Sequence, residues 1–287
     1  MLRLEIICAD SMGVRSMSHI VECGGLRIAI DPGAALAPRR YGLPPHPAEI
    51  EALEKSKKLV FNAASKADII VITHYHLDHY IYEDEYVDAY KDKIVILKDT
   101  RNKINARQRR RGFVLKRMLE TIKTRVIECN GGSFKFGDVE LHLSPPVWHG
   151  EEGTSLGWVL MVSVKHGDES FVYCSDTQGP ATEEALRWVL HENPSLIYLS
   201  GPPLYLENYK IQRNSIERAL ANTKKLITHK TVKHVVIDHH FARQAGYLNM
   251  LKEFSEELGK KVTDAAGYMG VERTPLESMR KRLWGEE

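Results

Sequence analysis

Ile70-Val71-Ile72-Thr73-His74-Tyr75-His76-Leu77-Asp78-His79 is the stretch on which the reading of the whole chain turns. Its first four residues form a β-branched run of the kind that fills a buried strand. The next six carry His74, His76, Asp78 and His79, imidazoles and a carboxylate of the type that ligate Zn²⁺, Fe²⁺ or Mn²⁺. Alternate residues of an extended segment share a face, so His74, His76 and Asp78 point to one side. A turn after Leu77 then lets Asp78 and His79 address a second point nearby. Groups that desolvate this badly gain nothing from crowding one loop unless they hold something.

Outward from this loop, short apolar runs recur at 2–8, 19–23, 26–31, 68–73, 94–97, 139–143, 158–164, 171–174, 196–199 and 235–238, and they read as strands. Spaced apolar positions predict helices over 48–66, 112–123, 181–191, 215–229 and 244–258. Asn214, with Glu217 three residues on, reads as a capping box at the start of the fourth helix. Strands cluster early and alternate with helices later, which suits a layered α/β sandwich over 1–287 rather than a repeat protein or a bundle. Two stretches read as insertions flanking a site, a proline-rich and helical one near 37–66 and a basic one near 98–123.

The 287 residues are 43% hydrophobic and 27% charged, ordinary for a globular protein and unlike a disordered chain. No apolar run approaches the roughly 20 residues that span a bilayer, and Arg3 and Glu5 interrupt any signal peptide, so a cytoplasmic location is expected. Cys8, Cys23, Cys129 and Cys174 are scattered without a Cys-x-x-Cys pair, which argues against a zinc ribbon or a disulfide framework. A net charge of +2 implies no polyanionic partner by itself, so any such preference has to be local.

His-x-His-x-Asp-His after a hydrophobic strand resembles the signature of the metallo-β-lactamase superfamily, which implies a four-layer αββα sandwich. The resemblance implies a later His, an Asp at a strand end and a final His. The chain supplies His149 in Pro146-Val147-Trp148-His149-Gly150, Asp176 in Tyr173-Cys174-Ser175-Asp176-Thr177, and His239 in Val236-Ile237-Asp238-His239-His240. By resemblance His74, His76 and His149 hold one metal ion, Asp78, His79 and His239 hold another, and Asp176 bridges them. Zinc comes first, with iron or manganese as alternatives. His240 competes with His239; the register of Asp238, His239 and Arg243 favours His239. Asp31, in Asp31-Pro32-Gly33 after an early strand, is implied to support the metal loop from behind. The segments Asp10-Ser11-Met12-Gly13-Val14-Arg15-Ser16 and Tyr41-Gly42-Leu43-Pro44-Pro45-His46 resemble a mainly archaeal branch of the superfamily. His142 reads as an outward residue of an alternating strand and His46 as a rigid-loop residue.

The function implied is a binuclear metal-dependent hydrolase in which a metal-bridging hydroxide attacks an ester, lactone, thioester or phosphodiester, with Asp78 or Asp176 handling the proton. Alternatives are a nuclease or phosphodiesterase acting on RNA or nucleotides, and an iron-dependent redox enzyme of the same fold. A Cys-ligand subtype is disfavoured because the acidic position is Asp176, and the interval to His239 is too short for a large inserted cap. Arg101, Lys103, Arg107, Arg109, Arg110, Arg111, Lys116 and Arg117 form a run without an acidic residue. It suits contact with an anionic small molecule, a nucleotide or nucleic acid, or else a solvated helix face. The tail 275–287 docks on a neighbour or on its own sheet.

Overall fold

Two β-sheets face each other across an apolar interior, and helices pack on both outer faces, in the computed structural model, which describes residues 1–286. The first sheet runs in chain order: β1 (Arg3–Ala9), β2 (Met17–Cys23), β3 (Leu26–Ile30), β4 (Ile69–Ile72), β5 (Ile94–Lys98) and β6 (Arg125–Cys129). Its first three strands are antiparallel neighbours, and β3 to β6 are parallel. The second sheet uses β7 (Gly132–Phe136), β8 (Val139–Leu143), β11 (Val162–His166), β12 (Glu169–Tyr173), β13 (Leu196–Leu199), β14 (His234–Ile237) and β15 (Lys261–Thr263), in the order 15-14-13-12-11-8-7. Between β8 and β11, the antiparallel pair β9 (Val147–Trp148) and β10 (Trp158–Val159) stands apart.

Period-2 alternation assigns the layers. In β4, Ile69 and Val71 enter the interior between the sheets, whereas Ile70 and Ile72 pack beneath helices. In β12, Phe171 and Tyr173 join that interior while Val172 lies on the opposite face, as does Cys174 just beyond the strand. The first sheet is covered by α1 (Pro47–Ser65) and α2 (Ala106–Glu120) through Val60, Ala64, Leu115 and Leu119. The second is covered by α3 (Glu183–His191), α4 (Arg213–Thr228) and α5 (Tyr247–Leu258) through Val189, Leu226 and Phe254. This is the four-layer αββα sandwich. No helix among the described residues is long and apolar enough to cross a membrane.

Several local readings change. The capping box expected at Asn214 is absent: α4 starts at Arg213 without a side-chain cap, and Glu217 instead pairs with Arg213 at 2.9 Å. The capping box sits on α1, where His46 Nδ1 accepts the Ala48 N–H and Glu49 accepts the His46 N–H at 2.9 Å. β10 and β11 divide the expected strand 158–164, and β6, β7 and β15, half-buried or only three residues long, lack a strong apolar pattern. The tail docks on its own chain. Arg280, fully buried, forms an ion pair with Glu49 at 2.7 Å and donates to the carbonyls of Ala37 and Leu43; Trp284 donates to that of Pro44.

α2 begins six residues before its expected start because Asn105 caps it, accepting the Gln108 N–H at 2.8 Å, and its arginine-rich first turns carry no apolar stripe. Buried Gly112 seats this helix against the loop after β4: a Cβ there would lie 2.8 Å from the Tyr75 ring and 2.8 Å from Thr100 Cγ2. Gly112→Ala is therefore expected to lose about 1–3 kcal/mol to overpacking, against about 1 kcal/mol gained in helix propensity. Urea unfolding measures the balance, and a variant more stable than the wild type would show that the helix does not sit this close.

Candidate metal centre

Each candidate ligand lies just beyond a strand. The loop 73–79 follows β4, His149 follows β9, Asp176 follows β12, and His239 follows β14. Two of these turns reverse on a non-glycine residue with left-handed backbone, Ser175 (φ 49°) and His239 (φ 54°), and the turn after β3 does the same at Asp31 (φ 47°). Such a conformation costs roughly 1–2 kcal/mol and persists only where neighbours over-determine it. Gly33 allows the turn after β3 to press against the loop, since a Cβ would stand 2.2 Å from the Tyr80 nitrogen and 2.6 Å from that of His79.

The fold gathers all seven side chains. His74 Nε2 and His149 Nε2 each lie 3.1 Å from His76 Nδ1. Asp176 Oδ2 is 2.9 Å from His149 Nε2, 3.5 Å from His74 Nε2 and 3.9 Å from His76 Nδ1. Four donors around a cation at 2.0–2.1 Å stand about 3.3 Å apart when tetrahedral, so these spacings match a coordination shell. On the other side, Asp176 Oδ1 is 3.2 Å from His239 Nε2, which is 3.7 Å from Asp78 Oδ2; His79 Nε2 is 3.4 Å from Asp176 Oδ2. Asp78, His79 and His239 make a second set able to hold a cation, and Asp176 touches both sets. His240 Nδ1 is 3.9 Å from Asp176 Oδ1, so it too reaches the centre.

Two observations test the fit of a metal. His79 Nε2 and Asp176 Oδ1 are buried and have no hydrogen-bond partner, a costly state that a cation relieves. Burial pushes His74, His76 and His240 below the usual imidazole value, leaving them neutral, the form that ligates. Burial alone would raise the Asp176 and Asp78 carboxyls, but the facing imidazoles, His239 and His79 foremost, override it and hold both well below the carboxylate range. Burial opposes charge on His79 as well, yet Asp176 and Asp31 raise it above its ordinary value. The acids thus draw positive charge onto whatever faces them, a demand that a divalent ion also meets.

Partners behind the ligands set their orientation. Fully buried Asp31 accepts the Thr73 N–H (2.7 Å), the Thr73 hydroxyl (2.5 Å), the Tyr173 hydroxyl (2.7 Å) and His79 Nδ1–H (2.8 Å). A carboxylate only accepts, so His79 carries its proton on Nδ1 and turns the Nε2 lone pair to the centre. Asp10 does the same for His239, accepting Nδ1–H at 2.7 Å while Arg243 donates to its other oxygen at 2.6 Å. Asp10, Thr73 and Tyr173 were not identified from sequence as supports. Asp10 lies in the quoted motif 10–16, but its partner is 229 residues away.

Histidines outside the centre have partners of their own. His142 pairs with Glu192 at 3.0 Å, and His19 is buried against Tyr198, where burial lowers its pKa to about 3. Of the eight basic residues at 101–117, only Arg107 and Arg111 line the cleft above the centre, which has a volume of about 700 Å³.

No family model matches the chain. The metallo-β-lactamase fold protein YhfI from Bacillus subtilis superposes with a TM-score of 0.54 at 11% identity, over 92% of this chain and 96% of that one. CmlA, a diiron β-hydroxylase from Streptomyces venezuelae, gives 0.54 at 12% identity, over 92% of this chain and 52% of that one. These likenesses identify the metallo-β-lactamase fold. A UPF0282 protein from Aeropyrum pernix is 39% identical over 301 residues covering 100% of both chains, and the chain therefore belongs to the UPF0282 family.

Proposed function

We propose that this protein is a binuclear metal-dependent hydrolase acting on an anionic ester, with a phosphodiester as the preferred class. The observation that carries the reading is Asp176: one buried carboxylate presents an oxygen to each of two donor sets. His74, His76 and His149 would hold one ion, Asp78, His79 and His239 the other, and Asp176 both. A nitrogen and oxygen donor set suits zinc first, with iron or manganese compatible. When bound, a pair of such ions supplies an acidified water and a Lewis acid for the scissile bond.

The chain's own residues account for the rest. Asp176 is only 3% exposed, so Asp78, whose side chain remains 15% exposed towards the cleft, takes the proton of the attacking water on its carboxylate. His79 and His239 hold its pKa low against burial, which keeps it ionised and makes it a weak base that passes the proton on to solvent rather than retaining it. Arg243 lies 4.0 Å from Asp78 and stays charged because Asp10 pairs with it. Arg107 and Arg111 line the approach with positive charge, favouring a phosphodiester over a neutral lactone or thioester.

Elemental analysis of the purified protein, followed by assays on bis(p-nitrophenyl) phosphate, a lactone and a thioester, tests this. The expected result is two divalent ions per chain and diester hydrolysis that Asp78→Ala abolishes. A folded preparation that takes up no divalent ion, or activity that survives Asp78→Ala, rejects the proposal.

A further inference from the structure

We infer that the cleft contains a second anion subsite, built from Arg39, Arg40 and Lys210, which binds a phosphate group of the substrate remote from the bond that is cleaved. This rests on the hydrolase reading for its place in catalysis, but the subsite itself is argued from charge and geometry that do not involve the metal centre.

Seven arginines and lysines line the cleft, and two of them are neutralised: Arg15 by Glu277 at 2.6 Å and Arg243 by Asp10 at 2.6 Å. Arg39, Arg40, Arg107, Arg111 and Lys210 have no carboxylate within 4.0 Å among the described residues. The acids of the cleft, Asp78 and Asp176, face the histidines instead. Cations gathered in one concave wall repel each other and focus a field that an anion relieves. They form two groups. Arg107 and Arg111 stand on α2, where Arg111 donates to the Tyr75 carbonyl beside the centre. Arg40 lies beside Arg243 and Tyr205, and Arg39 from the same loop and Lys210 from a second loop also line the cleft.

Arg40 is the anchor of the second group. Its guanidinium stacks over Tyr205 at 4.1 Å and Tyr41 at 4.6 Å, and its Nη2 donates to the Arg243 carbonyl at 3.0 Å. Its Nε–H is shielded from solvent and has no acceptor. A planar donor fixed by two rings with a bond unmade is prepared for a tetrahedral oxyanion. Its loop is fixed as well, because Arg280 donates to the carbonyls of Ala37 and Leu43 and Trp284 to that of Pro44. Binding therefore requires little further ordering of this wall. Arg107 and Arg111 serve the reacting phosphate, and the second group serves another phosphate on the same molecule. The substrate class is a phosphodiester carrying an additional phosphate.

Calorimetric titration with inorganic phosphate tests the subsite directly. In chelator-treated protein, whose fold is checked by circular dichroism, one phosphate is expected to bind, at least tenfold more weakly in Arg40→Gln and in Arg39→Gln/Lys210→Gln. In the metal-loaded protein the same variants should lose one equivalent of bound phosphate while metal content is unchanged. Succinate should bind at least tenfold more weakly than phosphate to the wild type. Phosphate binding unaltered in both variants, or none in wild-type protein in either state, overturns the inference. Succinate binding as tight as phosphate overturns the phosphate assignment. Failure of the hydrolase reading would be seen separately, as absent metal or absent diester cleavage, and would leave these titrations unchanged.

Discussion

Asp176→Asn protein is expected to retain at most one divalent ion per chain and to hydrolyse a phosphodiester probe about 10³-fold more slowly than the wild type. The carboxylate is nearly inaccessible and its two oxygens divide their neighbours, with His149, His79 and His74 near Oδ2 and His239 near Oδ1. An amide of the same size replaces one oxygen with an N–H₂ group, which cannot ligate and which points hydrogens at a neighbouring lone pair. The remaining oxygen serves one donor set and leaves the other a ligand short. Loss of one ion removes several kcal/mol of transition-state stabilisation, and each 1.4 kcal/mol is a factor of ten in rate. Plasma mass spectrometry for metal and steady-state kinetics for rate read the two effects separately. A variant that binds two ions and turns over normally would mean that the carboxylate does not link the two sets.

How much of this could be read beforehand depended on how far apart the interacting residues lie in the chain. The loop 73–79 was legible because strand, turn and four donors are contiguous, and β4, buried on both faces, announces itself as an unbroken β-branched run. His149, Asp176 and His239 stood out through their order and strand contexts; the parallel pairing of β12, β13 and β14 explains why the residues after β12 and β14 meet, whereas His149 arrives from the separate pair β9 and β10. The supports were less visible. Asp10 meets His239 across 229 residues, and nothing local to either marks the contact. The basic run was only half interpretable. Arg107 and Arg111 stand one helical turn apart and line the cleft, whereas Lys116 pairs with Glu128 and Lys103 lies over Trp158. Helical periodicity separates those fates, but the helix start was misplaced because Asn105, its cap, precedes residues with no apolar pattern. The second bank of cations was not legible at all, since the tail brings Arg39 and Arg40 into position through Arg280 and Trp284.

The turn after β3 should prove as important to the fold as to the centre: Asp31→Ala is expected to lower unfolding free energy by about 3–5 kcal/mol in the presence of chelator. Four donors converge on this carboxylate inside the protein, from Thr73 twice, Tyr173 and His79. Truncation leaves each without its acceptor, and a buried donor so stranded costs about 1–3 kcal/mol. Water cannot replace the lost oxygen easily, because Gly33 holds the turn against the backbone of His79 and Tyr80. Alanine also fits poorly in the left-handed backbone at this position (φ 47°), which asparagine tolerates. Asp31→Asn therefore separates charge from backbone strain: it keeps an oxygen for Thr73 but sets an amide against two or more donors, and should lose about half as much. Both variants free the His79 ring to rotate or to exchange its proton between nitrogens, so divalent-ion affinity should fall about 10–100-fold. Urea unfolding in chelator isolates the structural part, and equilibrium dialysis of the still-folded asparagine variant isolates the metal part. Alanine costing less than 1 kcal/mol would mean that these donors find other partners, and unchanged ion affinity in the asparagine variant would mean that the His79 ring needs no support from behind.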